Sequence, residues 1–398
     1  MPILDGVKIL DLSQHMPGHH GTLLLGDMGA DILRIEAPTM PTRGGLSARR
    51  EPAPEERQRS QAFDALGRNK RSIALNLKDE RGRDIFYKLA READVVLEGF
   101  RPGVVKRLGV DYATISKMNP RIVYASISGY GQDGPYSQMA GHDINYIAQS
   151  GALSVIGPQP DEPPAMPMNF MADLAGGGTM AALGIVSALF NRERSGRGQF
   201  IDISMAEGAM QLTSSMLSSY LGSGRVPVRG RETFSGSVVY YNTYQCQDGK
   251  WISIDCIEPY FYESFCRELG RDDWLPDQHA EPDRQAEMIA AAREIFRTRT
   301  RDEWHEALNK HDLCAMRILG IDEMADDPHV QARGMIMELD HPKMGRVKQV
   351  GSAIKFSETP SSFRSFAPAK GEHTDEVLTE LGFGSDGIAA LRADGVVV

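Results

Sequence analysis

The chain has 398 residues, 41% hydrophobic and 25% charged, with a net charge of −10 and a pI near 5.5. That length exceeds one typical core and points to two domains, and the acidic balance without a long basic stripe excludes a nucleic-acid surface. No apolar run approaches the ~18 residues of a membrane span, and four cysteines without paired zinc spacing, with no HExxH, read as reduced thiols of a cytoplasmic protein rather than a metal site.

VKILDLS (7–13) reads as a strand, 18–29 as a helix ending at Gly29, and ADILRIEA (30–37) as the next strand. This β-α-β pattern favours a parallel sheet. Residues 38–66, rich in Pro, Arg and Glu, read as a long loop and a mobile cover. RSIALNL (71–77), ADVVLEG (93–99) and RIVYASIS (121–128) read as strands, with a charged helix over 79–92 and a short one after FRPG. The run 140–157 reads as a helix, 175–194 as a buried helix of small and apolar residues, GQFIDISM as a strand, and 204–221 as a further helix.

A composition shift marks a linker over 221–237. Beyond it, VVYYNTYQC and KWISIDC flank QDG, an Asp-Gly hairpin signal. Helices are expected at about 259–270, 281–297 and 300–310, then a short strand region and a helix at 373–382. The division is therefore a large α/β domain (1–220), a linker, a small α+β domain (238–328), and a return to the large domain (329–398).

Common motifs are missing. Gly18, Gly21, Gly26 and Gly29 do not form GxGxxG, no P-loop occurs, and GALSVIG misses the GxSxG spacing. Ser352–Lys355 matches SxxK, a pattern too short to carry weight. Three acid–base candidates sit at element boundaries: His142 in AGHDINY, Asp173 in NFMADLAGGG, and Glu258 in DCIEPYFY. Each has an ordinary explanation as well. Asp143 serves as an N-cap with His142 incidental beside it, Asp173 caps the long helix, and Glu258 is a surface carboxylate. The glycines after Asp173 either let a ligand approach a helix start or permit tight packing. MPMNFM and MQLTSSM either line an apolar pocket or fill core. Arg68, Lys70 and Arg71 form a small basic cluster able to meet a small polyanion.

MPILDGVKILDLS, LLLGDMGADILRIEAP, GRNKRSIALNLKDERG, VVLEGFRPGVVKRLGV, RIVYASISGYGQDGPYS, SGRGQFIDISM and PAKGEHTDEVLTELGF resemble the family III coenzyme A transferases over nearly the whole chain. AGHDINY, SGALSVIG, NFMADLAGGG and IEPYFY are similar to the α-methylacyl-CoA racemase branch. The resemblance implies an interlocked homodimer, each chain with a large Rossmann-like domain built from both chain ends and a smaller central α+β domain. It implies that His142 and Asp173 are two catalytic bases, that Glu258 supports the histidine, and that Asp143 is a supporting carboxylate. Coenzyme A phosphates would meet Arg101 in GFRPG, with Gly99 and Phe100 of the same turn, and less strongly Arg34, Lys70 and Arg71. No cofactor is implied beyond the coenzyme A moiety of the substrate, and no membrane or nucleic-acid partner.

The implied reaction is racemisation at C2 of 2-methyl-branched acyl-CoA thioesters. The thioester acidifies C2, one base removes the proton, and a second returns one on the other face. Histidine suits this near neutral pH, whereas a free aspartate at ~3.9 does not. Burial would raise that value and a helix start would lower it. The alternative is a coenzyme A transferase with Asp173 as nucleophile through an aspartyl–CoA thioester. Met16 stands where the transferases carry a glutamine, which counts against that route, whereas CAMRILGIDEMADDPHVQARG reads like transferase members. A third reading is a non-catalytic coenzyme A-binding scaffold.

Overall fold

A computed structural model describes residues 1–38 and 54–398. The chain divides into two compact units, one of Met1–Ser150, Met168–Leu212 and Gln331–Val398, the other of Gly151–Pro167 and Thr213–Val330. The crossing thus falls at Leu212/Thr213 rather than in the expected 221–237 linker. The expected helix over 204–221 is broken at Thr213, whose φ −94°, ψ 10° is not helical. Residues 151–167 also belong to the second unit, not to the first as expected.

In the first unit the strands are β1 (Lys8–Asp11), β2 (Asp31–Glu36), β3 (Lys70–Ala74), β4 (Val95–Glu98), β5 (Val123–Ser128) and β6 (Phe200–Ser204). Their order is β3-β2-β1-β4-β5-β6, all parallel, the doubly wound order in which direction reverses between β1 and β4. Alternation along each strand feeds two cores. Leu10, Leu33, Ile73, Val96 and Tyr124 point to one, with Ile85 and Phe86 and the C-terminal Val377, Leu378 and Leu391. Ile9, Ile32, Val95, Leu97, Val123 and Ala125 point to the other, with Leu25, Ala181, Ile185 and Ala188. Strands buried on both faces read as unbroken apolar runs, which is why VVL and VYASI were legible as parallel strands.

Helices cover both faces: α1 (Met16–Asp27), α2 (Pro54–Phe63), α3 (Glu80–Glu92), α4 (Val104–Leu108), α5 (Tyr112–Met118) and α6 (Asp143–Gln149). The expected helix over 140–157 stops there, because Gly151 adopts φ 83° before a separate turn, α7 (Ala152–Val155). The long helix begins five residues earlier than expected, as a wide π-helical stretch Phe170–Thr179 running into α8 (Met180–Ser195). Together these form a 26-residue helix long and apolar enough, by length and composition, to cross a membrane, contrary to the expectation that no such run exists. Its Ala181, Ile185 and Ala188 face one core of the first unit, whereas Leu183, Val186 and Phe190 are exposed. α9 (Met205–Leu212) packs on its π-helical part.

The expected cover over 38–66 lies mostly on 39–53, outside the described residues, and its remainder is not loop but α2. The second unit holds α10 (Ser214–Ser223), an antiparallel sheet of β7 (Tyr241–Gln245), β8 (Trp251–Asp255) and β9 (Ala315–Arg317), and the helices α11 (Pro259–Glu268), α12 (Pro282–Phe296) and α13 (Arg301–Asn309). Its core stacks Tyr244 on Phe296 at 4.5 Å, and the Trp304 indole donates to the Phe296 carbonyl at 2.8 Å. Two short helices, α14 (Ile321–Asp326) and α15 (Pro328–Ala332), lead back to the first unit. There the hairpin β10 (Ile336–His341) and β11 (Gly345–Val350) precedes α16 (Thr374–Glu380) and α17 (Ser385–Ala393).

Candidate active site

Asp143 does not cap its own helix. His142 is the N-cap residue, with extended backbone at φ −133°, and its backbone N–H donates to the Asn145 side chain at 3.0 Å. Asp143 instead turns inward, 5% exposed, and one carboxylate oxygen accepts from the backbone N–H groups of Ala172 (2.9 Å) and Asp173 (2.7 Å). It thus satisfies two orphan donors at the start of the π-helical stretch, 30 residues along the chain. These two bonds join the helix starts that carry His142 and Asp173. Tyr146 fixes the same turn: its hydroxyl donates to the Gly141 carbonyl at 2.5 Å, and its ring lies where a Cβ on Gly129 or Gly141 would stand.

Asp173 is half-buried, and Asn169 donates to its carboxylate at 3.2 Å. Burial pushes its acidity weaker than an ordinary aspartate, and the Asp143 charge adds to that. The Asn169 bond and the imidazoles of His142 and His15 pull the other way without cancelling it. Desolvation therefore wins the contest that sequence left open. Tyr146, pushed up to about 12 chiefly by burial and next by Tyr130, also feels the charges of Asp173, Arg101 and Asp143, so these four groups share one locality.

The glycines of AGGG serve packing. A Cβ on Gly176 would lie 2.9 Å from the backbone of Met205 and Ala209, and one on Gly178 2.6 Å from the Pro17 carbonyl oxygen. The helix start is occupied too, since Asp143 already holds the N–H groups of Ala172 and Asp173. MPMNFM is not core: Met166, Met168 and Phe170 are all more than half exposed, and Met168 is held at φ 58°.

Arg101 is exposed and has no ion-pair partner among the described residues, so its charge is available. Arg34 is partly buried, donates to Glu36 at 3.1 Å, and keeps a buried Nε without a partner. Lys70 and Arg71 do not suit the phosphate role expected of them. Lys70 is 2% exposed and donates to the Thr22 hydroxyl at 2.7 Å and the His19 carbonyl at 3.1 Å. Burial lowers it to about 8 despite the attraction of Asp11. Arg71 is spent on Glu376, Glu380 and Asp31, and Arg68 is buried in a bidentate pair with Asp27. Gly99 and Phe100 occupy the turn after β4, where the Phe100 N–H donates to Glu98 at 2.7 Å.

Glu258 lies in the second unit, exposed, as the N-cap residue of α11 without a side-chain capping bond. Among the described residues no three His, Cys, Asp or Glu gather to hold a metal ion. A cavity of about 390 Å³ beside Arg81, Tyr87, Lys88, Arg91 and Phe383 is lined by none of the site residues. Sequence reasoning missed Asn169, Tyr146 and Glu98. Only Glu98 carried a signal, a carboxylate ending an otherwise apolar strand.

The profile of CoA-transferase family III matches residues 4–374. The chain is 35% identical to the alpha-methylacyl-CoA racemase of Homo sapiens over 395 residues, 99% of this chain and 97% of that one. It is 31% identical to the succinyl-CoA:glutarate CoA-transferase of Mus musculus, over 100% of this chain and 91% of that one. Among solved structures, a CAIB/BAIF family protein from Brucella suis superposes with a TM-score of 0.80 at 28% identity, covering 96% of this chain and 99% of that chain. The parallel sheet accords with these likenesses, and the profile and relatives show that the chain belongs to CoA-transferase family III.

Proposed function

We propose that the protein is a racemase of 2-methyl-branched acyl-CoA thioesters, with His142 and Asp173 as the two bases. The observation that carries the reading is the bond from Asp143 to the backbone of Ala172 and Asp173, which ties the His142 turn to the Asp173 helix start. Burial and the Asp143 charge weaken Asp173 as an acid, which makes its carboxylate a better proton acceptor than an ordinary aspartate. Likeness to the human racemase supports the same reading.

In one direction the Asp173 carboxylate removes the C2 proton while protonated His142 delivers one to the opposite face. In the other direction the roles exchange. The thioester carbonyl holds the enolate charge, and Arg101 meets a coenzyme A phosphate. Glu258 keeps a supporting role in this proposal on the strength of the resemblance alone. The homodimer is part of the proposal as well: α8 presents Leu183 and Phe190, each more than 60% exposed, an apolar face that a second copy would cover.

The likeness to transferases supports a competing route, nucleophilic attack by Asp173. Incubation with single epimers of a 2-methylacyl-CoA decides between them. The racemase yields both epimers and no enzyme adduct. Hydroxylamine-trappable acyl-enzyme at Asp173, with the epimer unchanged, would replace it by the transferase.

A further inference from the structure

We propose that Glu98 is a positioning residue for the coenzyme A-binding turn 99–103: its carboxylate fixes the backbone that carries Arg101, and losing that grip weakens coenzyme A binding while leaving proton transfer intact. The proposal rests on the reading of Arg101 given above.

Glu98 ends β4, beside the point where strand order reverses and ligands of doubly wound sheets collect. It is 2% exposed. A carboxylate is costly there unless its oxygens are used. Both are. Oε2 accepts the Phe100 N–H at 2.7 Å, and Oε1 accepts the Ser126 hydroxyl in a close contact. The Ser126 oxygen accepts in turn from the Gln132 amide at 2.8 Å, and the Gln132 backbone N–H reaches Asp202 at 3.0 Å. A directed chain of donors therefore runs from Gln132 through Ser126 to Glu98, where the Phe100 N–H of the turn converges on the same carboxylate. The turn itself is tight: Gly103 sits at φ 88°, and the Val104 N–H returns to the Arg101 carbonyl at 3.1 Å.

The chain has a direction only while Glu98 is ionised. Once protonated on Oε1, it must donate to a Ser126 oxygen that already accepts from Gln132, and the Ser126 proton loses its place. Burial pushes Glu98 up to about 7, Asp202 pushes the same way, and the Ser126 and Phe100 bonds oppose. Tyr124 on β5 also senses Glu98. The grip is thus strongest above neutral pH and weakens as pH falls through about 7, because Oε2 of the neutral acid still accepts the Phe100 N–H but no longer in a charge-assisted bond.

The test is titration of the whole protein with free coenzyme A at pH 6.0, 7.5 and 8.5, comparing wild type, Glu98→Gln and Ser126→Ala. Wild type is expected to bind about tenfold tighter than Glu98→Gln at pH 8.5, one charge-assisted bond's worth, with the gap closing at pH 6. Titration of the coenzyme A phosphate is common to all three proteins, so only the difference is read. In turnover, KM for the acyl-CoA rises about tenfold and kcat changes less than threefold, a split that general destabilisation would not produce. Should Glu98→Gln fail to fold, Ser126→Ala carries the comparison. Equal affinities across the pH range would overturn the proposal. Absence of coenzyme A binding by the wild type would instead overturn the reading of the site on which it rests.

Discussion

Replacing Asp143 separates structure from chemistry at the site. Asp143→Ala strands the buried N–H groups of Ala172 and Asp173. An unsatisfied buried donor costs about 1–3 kcal/mol, so the pair costs about 2–6 kcal/mol. In a unit of this size, at about 2–4 °C per kcal/mol, that lowers Tm by roughly 4–24 °C. Asp143→Asn keeps an acceptor for both donors, and asparagine caps helix starts about as well as aspartate. It should therefore retain most of the stability while removing the charge that raises Asp173. The acid limb of kcat/KM, in the direction that uses the Asp173 carboxylate, should then move to lower pH. Thermal melts and pH–rate profiles of both variants check this. An Asp143→Ala protein with wild-type Tm, or an Asp143→Asn protein with an unmoved acid limb, would refute the reasoning.

Asp173→Asn should gain stability over wild type as pH rises. The raised folded value of Asp173 means that protonation favours the folded state, so its contribution is present below the ordinary aspartate value and lost as pH climbs through the raised one. Denaturant melts at pH 4 and pH 8 read the difference. Arg101→Ala should raise KM for the acyl-CoA by about 10–100-fold, a charge-assisted phosphate contact or more, whereas Arg71→Ala should leave it unchanged because Arg71 is spent on three carboxylates. Gly208→Ala places a Cβ 2.3 Å from the Gly176 carbonyl oxygen and should cost about 3 kcal/mol or more, seen as a fall in the denaturation midpoint. Phe190→Glu should shift sedimentation toward the monomer if α8 forms the dimer face.

The middle of the sheet was legible because β4 and β5 are buried on both faces and so appear as near-unbroken apolar runs, Val95–Glu98 and Val123–Ser128. Helix limits were less so. Gly151 and Thr213 break runs whose composition reads as continuous, and α17 carries Gly387 and went unseen. At the candidate site, residue types and family resemblance singled out His142 and Asp173. The true work of Asp143 was hidden, because its partners lie 30 residues away and are backbone groups that leave no trace in composition. The spent charges of Lys70 and Arg71 were hidden for the same reason: only the fold brings Thr22, Glu376 and Glu380 to them.

Two bases on opposite faces make a claim that deuterium can test. In heavy water, wild type should exchange the C2 hydrogen of either 2-methylacyl-CoA epimer and interconvert them. His142→Ala and Asp173→Asn should each stop interconversion, yet each should still exchange the hydrogen of one epimer, and not the same one. Loss of exchange for the same epimer in both variants, or interconversion surviving either substitution, would contradict the assignment.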